Sequence, residues 1–205
     1  MRVLVACEYS GTVREAFRDR GHDAWSCDLL PASDGSKFHF QGDALAHAKR
    51  GWWDLMIAHP PCTDIAVSGA AWFEEKRLDG RQQAAIEFFL ALANAPIPRI
   101  AIENPVCIMS TVWRKPDQVI HPWQYGHPEQ KTTCLWLKGL RHLVPTKIVY
   151  DEMMKLPRRE RERMHFMSPS EDRGHLRSKT YDGIAEAMAE QWGGYADLAT
   201  MGGAV

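Results

Sequence analysis

A strand-sized apolar run that stops on a polar residue and gives way to a helical pattern recurs along this chain, and it leaves few architectures open. Arg2 to Cys7, Ala24 to Cys27, Phe38 to Phe40, Asp54 to Ala58 and Arg99 to Ile102 are such runs, and Thr133 to Leu137 is another. Between them, Val13 to Arg20, Ala44 to Lys49 and Asp79 to Ala95 carry apolar residues at helical spacing. Tyr181 to Trp192 closes the series with Ile184, Ala185, Met188 and Ala189 on one face. Strands alternating with helices predict an α/β fold, a mostly parallel sheet with helices on both faces. Residues 105–130, rich in Pro and Trp, read as loop, and 151–180 as a dense charge run. No repeat or low-complexity linker divides the sequence, so residues 1–205 are expected to form one domain, with 105–180 a loop-rich, substrate-facing insertion.

With 45% hydrophobic and 25% charged residues the chain can bury a core, which excludes wholesale disorder, and no apolar run is long enough to cross a bilayer. The N-terminal MRVLVACEYSG has a short apolar run ending on Glu8 and no small-residue cleavage site, so a cytoplasmic protein without membrane contact is expected. A net charge of −1 requires any nucleic-acid surface to be local, because phosphate contacts need basic residues. The five cysteines are odd in number, scattered and free of a CxxC pair, which argues against a disulfide framework or a zinc knuckle.

In a parallel sheet, ligands sit beyond the carboxyl ends of the strands. Here the polar residues collect at those ends: Glu8, Tyr9, Ser10 and Gly11 after the first strand, Asp28 after the second and Asp43 after the third. His59 to Cys62 follows the fourth strand, and Glu103 and Asn104 follow the fifth. An acid in the place of Asp28 suits a ribose diol, and one in the place of Asp43 an adenine amino group. Gly11 lets a ligand approach the backbone, and the helix start after it favours a carboxylate or phosphate. Together these residues point to an adenosine-containing cofactor, and the absence of GxGxxG lowers a nicotinamide dinucleotide. Cys62, behind two prolines, reads either as a small buried hydrophobe, the commoner fate of a cysteine, or as a thiolate facing the cleft. A Glu103 able to donate a proton beside such a thiolate fits covalent catalysis on an electron-poor ring, at its best with the carboxyl pKa raised toward neutrality by burial. His59 and Cys62 have ligand spacing but no second pair, so no metal is expected.

Taken together, these residues resemble the cytosine-5 DNA methyltransferase family, in the minimal form found in phages and prophages. VLVACEYSGTVREAFRDRG is similar to the family's methionine-binding motif, although Cys7 and Tyr9 stand where that motif has an aromatic residue and a first glycine. Asp28 and Gly42-Asp43 resemble its ribose and adenine acids, DLMIAHPPCT its Pro-Cys nucleophile motif with Pro60 beside the cofactor, and IENP its Glu-Asn motif. TYDGIAEAMAEQW resembles the last motif, whose helix returns to the cofactor. Lys131 and Thr133 occupy the places of the family's paired arginines, Pro105 that of its usual valine, and residues 105–180 are too few for its large target-recognition domain. The resemblance implies a Rossmann-like sheet that uses S-adenosylmethionine. It also implies a DNA partner, as a duplex with the target base flipped out or as a single strand.

On this resemblance Cys62 attacks carbon 6 of cytosine, Glu103 holds ring nitrogen 3 and the exocyclic amine, and Asn104, Lys131 and Arg177 contact substrate. Arg158, Arg159, Arg161 and Arg163, followed by Arg173, Arg177 and Lys179, form the one basic cluster and a candidate phosphate surface, although interleaved Glu160 and Glu162 also fit a solvated helix. Trp72 and Trp123 are candidates to stack on a displaced base. Other readings remain at this level: methylation of an exocyclic amine, a nucleotide or RNA substrate, and a non-catalytic methyltransferase-like binding protein. Arg14, near the start of the cofactor helix, is compatible with an ordinary or a modified sulfonium donor, and the sequence leaves the oligomeric state open.

Overall fold

The computed structural model describes residues 1–168 and 173–194. Seven strands form one sheet: β1 (Arg2–Ala6), β2 (Asp23–Asp28), β3 (His39–Gln41), β4 (Leu55–Ala58), β5 (Ile100–Asn104), β6 (Gln118–Ile120) and β7 (Thr133–Lys138). Their order is β3-β2-β1-β4-β5-β7-β6. The first five strands pair in parallel, while β7 runs antiparallel to both β5 and β6. The expected α/β class, a mostly parallel sheet with helices on both faces, is what the chain adopts.

Alternation along the central strands explains the layering. Val3, Val5, Leu55 and Ile57 point to one face and pack with α1 (Thr12–Arg18) and α10 (Asp182–Gly193). Leu4, Ala6, Met56 and Ala58 point to the other, where α2 (Ala44–Ala48) and α4 (Arg81–Ala93) cover them. These strands are buried on both sides, which is why they read as continuous apolar runs. Chain direction reverses its march across the sheet between β1 and β4, so a crevice opens at their carboxyl ends.

Several boundaries differ from expectation. Residues 105–130 are not simply loop: they contain α5 (Met109–Val112), β6 and a single 3-10 turn at Pro122–Gln124. The helix expected over Asp79 to Ala95 is α4 preceded by a separate α3 (Phe73–Leu78), and Gly80, at φ 81, makes the break in the left-handed region. The charge run resolves into α6 (Tyr150–Lys155), α7 (Arg158–Arg161), α8 (Arg163–Phe166) and α9 (Arg173–Ser178). Asp28, Glu103 and Asn104 are the final residues of their strands, not the first residues after them, so strand pairing itself fixes their backbones. Among the described residues, no helix is long and apolar enough to cross a membrane.

Candidate active site

Beyond β1 the chain turns at Cys7, whose φ of 60 is a left-handed conformation that a side chain makes costly. This is where the resembling motif has its aromatic residue; its first glycine falls two residues on, at Tyr9. The turn directs Glu8 under α1, and its carboxylate accepts hydrogen bonds from the backbone N–H of Val13 (2.7 Å) and Arg14 (3.2 Å). The start of α1, expected to receive a ligand anion, is therefore capped by the chain's own acid. Glu8 is 5% exposed, and burial pushes its pKa up against the pull of His59 and of the N–H donors it meets. The bareness of Gly11 serves internal packing, since a side chain there would strike the Arg14 guanidinium and the Asp34 carboxylate.

Arg14 is fully buried and organises the loop after β2. It donates to Ser26 Oγ (2.9 Å), to Glu15 (2.7 Å) and to Asp34, while Ser26 Oγ also meets His39 Nδ1 at 2.8 Å. The loop is clamped on the β1–α1 turn by Ser33, whose N–H donates to the Tyr9 carbonyl at 3.0 Å and whose hydroxyl reaches the Ser10 carbonyl at 3.4 Å. Asp28 accepts from the Leu30 N–H (3.0 Å), and Asp43 caps α2 by accepting from the Leu45 N–H (2.9 Å). Each acid uses Oδ1 locally and has a second oxygen to offer. Beside Asp28, Leu29 leaves 75% of its surface in solvent, an apolar surface of the kind that the face of a purine can cover. The Cys7 thiol is pushed far up by burial and then by the charges of Asp28 and Asp43, which places those acids around the same strand ends.

The ends of β4 and β5 carry the other half of the site. His59 Nδ1 lies 2.9 Å from Glu103 Oε2, and both side chains are largely buried. Asn104, 1% exposed, donates from Nδ2 to the Pro60 carbonyl at 2.8 Å and so ties β5 to the turn that carries Cys62. Among the described residues, the buried polar atoms without a hydrogen-bond partner include His59 Nε2 and Asn104 Oδ1 at these strand ends. The charges of Glu103, Lys131 and Arg177 all reach the half-buried Cys62 thiol, whose pKa is raised by burial and by Glu103 against the two cations. Glu103 departs from expectation. Burial does raise its pKa, but the His59 hydrogen bond and the Lys131 charge overcome it and hold the carboxyl below its ordinary value. Lys131 is anchored, since its Nζ donates to the Arg177 carbonyl at 2.9 Å.

Lys76 and Gln82 were not legible as site residues. Lys76, in a stretch that reads as a charged surface, is buried; it donates to the Thr63 carbonyl and pairs with Asp64 at 3.3 Å, and Gln82 donates to the Asp64 carbonyl at 3.3 Å. Together they brace the loop after Cys62. Trp72 stands 63% exposed on the segment that follows, whereas Trp123 is committed to His121 and Tyr150, with ring centroids at 5.7 and 5.1 Å. In the basic cluster Arg158 pairs with Glu162 (3.0 Å) and Arg163 with Glu129 (2.8 Å), while Arg177 and Lys179 are exposed. Residues 169–172 and the side chain of Arg173, part of that cluster, lie outside the described residues. Among the described residues, no three His, Cys, Asp or Glu side chains are grouped to hold a metal. An open cleft of about 370 Å³ lies between α1 and α10, with Gly11 in its lining beside Glu15, Asp19, Arg20, Asp182 and Glu186.

No family model matches this chain, and no curated protein matches it. Among solved structures it is similar to one described as a DNA modification methyltransferase encoded within a prophage of E. coli, with 18% sequence identity and a TM-score of 0.49. The similarity covers 77% of this chain, which spans 56% of that one. Function has to be read from the residues themselves.

Proposed function

We propose that this chain is an S-adenosylmethionine-dependent DNA methyltransferase that modifies carbon 5 of cytosine through a covalent adduct on Cys62. The observation that carries the reading is the meeting of Cys62 and Glu103 at neighbouring strand ends beside the crevice, with Lys131 and Arg177 close enough to act on the thiol. Carbon 5 of cytosine is a poor nucleophile until a thiolate adds at carbon 6, and that addition needs a proton at ring nitrogen 3. Cys62 is the thiol, Glu103 the group that meets nitrogen 3 and the exocyclic amine, and Asn104 Oδ1 a buried acceptor without a partner on the same strand end. Lys131 and Arg177 offset the negative charge that builds up as the thiolate forms, and they give phosphates a local basic surface in a chain of near-neutral charge.

The residues present fit the cofactor at its nucleoside end. Asp28 suits the ribose, Asp43 the adenine amino group, and Leu29 the purine face, with the Glu8–Gly11 turn and Pro60 closing the site. The amino-acid end is not met by a bare helix start, since Glu8 fills that place. When bound, the sulfonium supplies an electrophilic methyl group.

The protein is tested by incubating it with S-adenosylmethionine and duplex DNA, single-stranded DNA or deoxycytidine monophosphate, and mapping the methyl group. The reading predicts carbon-5 methylation of DNA. It predicts that Cys62→Ala abolishes transfer while calorimetry shows unchanged cofactor affinity. Methyl on the exocyclic nitrogen, or full activity in Cys62→Ala, would overturn the covalent scheme.

A further inference from the structure

The proposed reaction needs a proton at nitrogen 3, yet the group placed to give it is held ionised. Glu103 faces an imidazole at 2.9 Å and feels the positive charge of Lys131 from the segment before β7. A carboxylate kept in its charged form has no proton to donate near neutral pH. The proton must come from a neighbour, and His59 is the one in hydrogen-bond contact. Resting on the methyltransferase reading, we propose that His59 is the proton store of the site, holding on Nδ1 the proton that passes through the Glu103 carboxyl group to cytosine nitrogen 3 and recovering it when the adduct breaks down.

The surroundings of His59 suit this role. Its backbone N–H is fixed to the Ala6 carbonyl at 2.9 Å, and the two prolines after it stiffen the turn, so the ring cannot easily swing away from Glu103. Its side chain is 8% exposed, which limits exchange of the stored proton with solvent. Two acids face it, Glu103 from β5 in hydrogen-bond contact and Glu8 from the β1–α1 turn, whose carboxyl feels the ring. The cations that act on those two acids are Arg14, on Glu8, and Lys131, on Glu103. Among the described residues Nε2 meets no protein acceptor, and Glu103 is the side chain in hydrogen-bond contact through which the ring can pass a proton.

The step balances. As the Cys62 sulfur bonds to carbon 6, the electron pair of the 5,6 double bond moves to the 4,5 position, and the pair of the carbon 4–nitrogen 3 double bond settles on nitrogen 3. Nitrogen 3 takes a proton from the Glu103 carboxyl group, which takes one from His59 Nδ1 and leaves a neutral imidazole. Carbon 5 then takes the methyl group with the 4,5 pair, leaving carbon 4 doubly bonded to protonated nitrogen 3. On breakdown a base removes the carbon 5 proton, and its C–H pair re-forms the 5,6 double bond as the sulfur–carbon bond breaks with its pair on sulfur. Nitrogen 3 returns its proton by the same route. No oxidant or reductant enters.

The test compares the wild-type protein with His59→Gln, which keeps an N–H donor for Glu103 but carries no titrating proton. With S-adenosylmethionine and a cytosine oligonucleotide, the variant is expected to lose about 100-fold in kcat near neutral pH at unchanged cofactor KM. Relative to wild type its rate should then climb as the pH falls, because Glu103 must draw its proton from solvent while the thiolate requirement is common to both. A variant with wild-type kcat, or with a lower kcat on an unchanged pH profile, overturns the proposal and leaves the methyltransferase reading standing. If His59→Gln does not fold, His59→Ala is assayed with added imidazole: rescue that follows the imidazolium concentration supports the proton store, and its absence in a folded protein overturns it. A wild-type protein that does not methylate carbon 5 overturns the function itself, and this role falls with it.

Discussion

Cys62 is caught between opposing charges, and the balance is measurable on the free protein. Burial and the Glu103 carboxylate hold the thiol protonated, while Lys131 and Arg177 pull the other way. Removing the carboxylate's charge lowers the thiol pKa and increases the thiolate fraction at a given pH. Glu103→Gln should therefore speed alkylation of Cys62 by iodoacetamide at pH 7.5, read by peptide mass spectrometry; an unchanged or slower rate would contradict the contact. Arg14 makes a second residue-scale prediction. Its fully buried guanidinium joins Ser26, Glu15 and Asp34, and Arg14→Met strands those partners. The loss should be about 3 kcal/mol in urea unfolding, as expected when one member of a buried ionic cluster is removed. Cys7, at φ 60, was visible in the sequence only as a departure from the motif's aromatic residue, and the strain of its backbone could be seen only with the structure in hand.

At the scale of elements, α10 closes one face of the sheet, and its start allows no added atom. Gly183 donates its N–H to His127 Nε2 at 3.0 Å, and a side chain there would collide with the Tyr125 carbonyl. Gly183→Ala should cost about 1–3 kcal/mol and lower Tm by roughly 5 °C, with calorimetry as the check. The helix itself was legible, because Ile184, Ala185 and Met188 recur at helical spacing over a buried face. So were the five parallel strands, of which β1 and β4 owe their unbroken apolar runs to burial on both sides. β6 was not legible. It is a three-residue edge strand whose pairing with β7 comes from long-range contact and leaves no periodicity in so short a segment. The break between α3 and α4 hung on one glycine in a pattern that otherwise reads straight through.

The molecule as a whole brings two sets of residues to one sheet end: Glu8, Asp28 and Asp43 on one side of the reversal between β1 and β4, and His59, Cys62 and Glu103 on the other. Most of these positions could be read from the sequence because each follows or ends an apolar run, and strand order then places them together. What could not be read was how they act on one another. The ionised state of Glu103 depends on the 2.9 Å contact with His59, and the bracing of the Cys62 loop depends on a buried Lys76 from a charged-looking helix. Asp43→Ala should weaken S-adenosylmethionine binding about tenfold by calorimetry, the loss of a hydrogen bond to a charged acceptor, and an unchanged Kd would remove it from the cofactor site. The most direct test of the central claim is mass spectrometry of the protein incubated with S-adenosylmethionine and an oligonucleotide containing 5-fluorocytosine, since fluorine at carbon 5 blocks the release of the adduct. The account predicts a covalent complex mapped to Cys62. A protein that binds the cofactor and turns over this oligonucleotide without forming that adduct would contradict it.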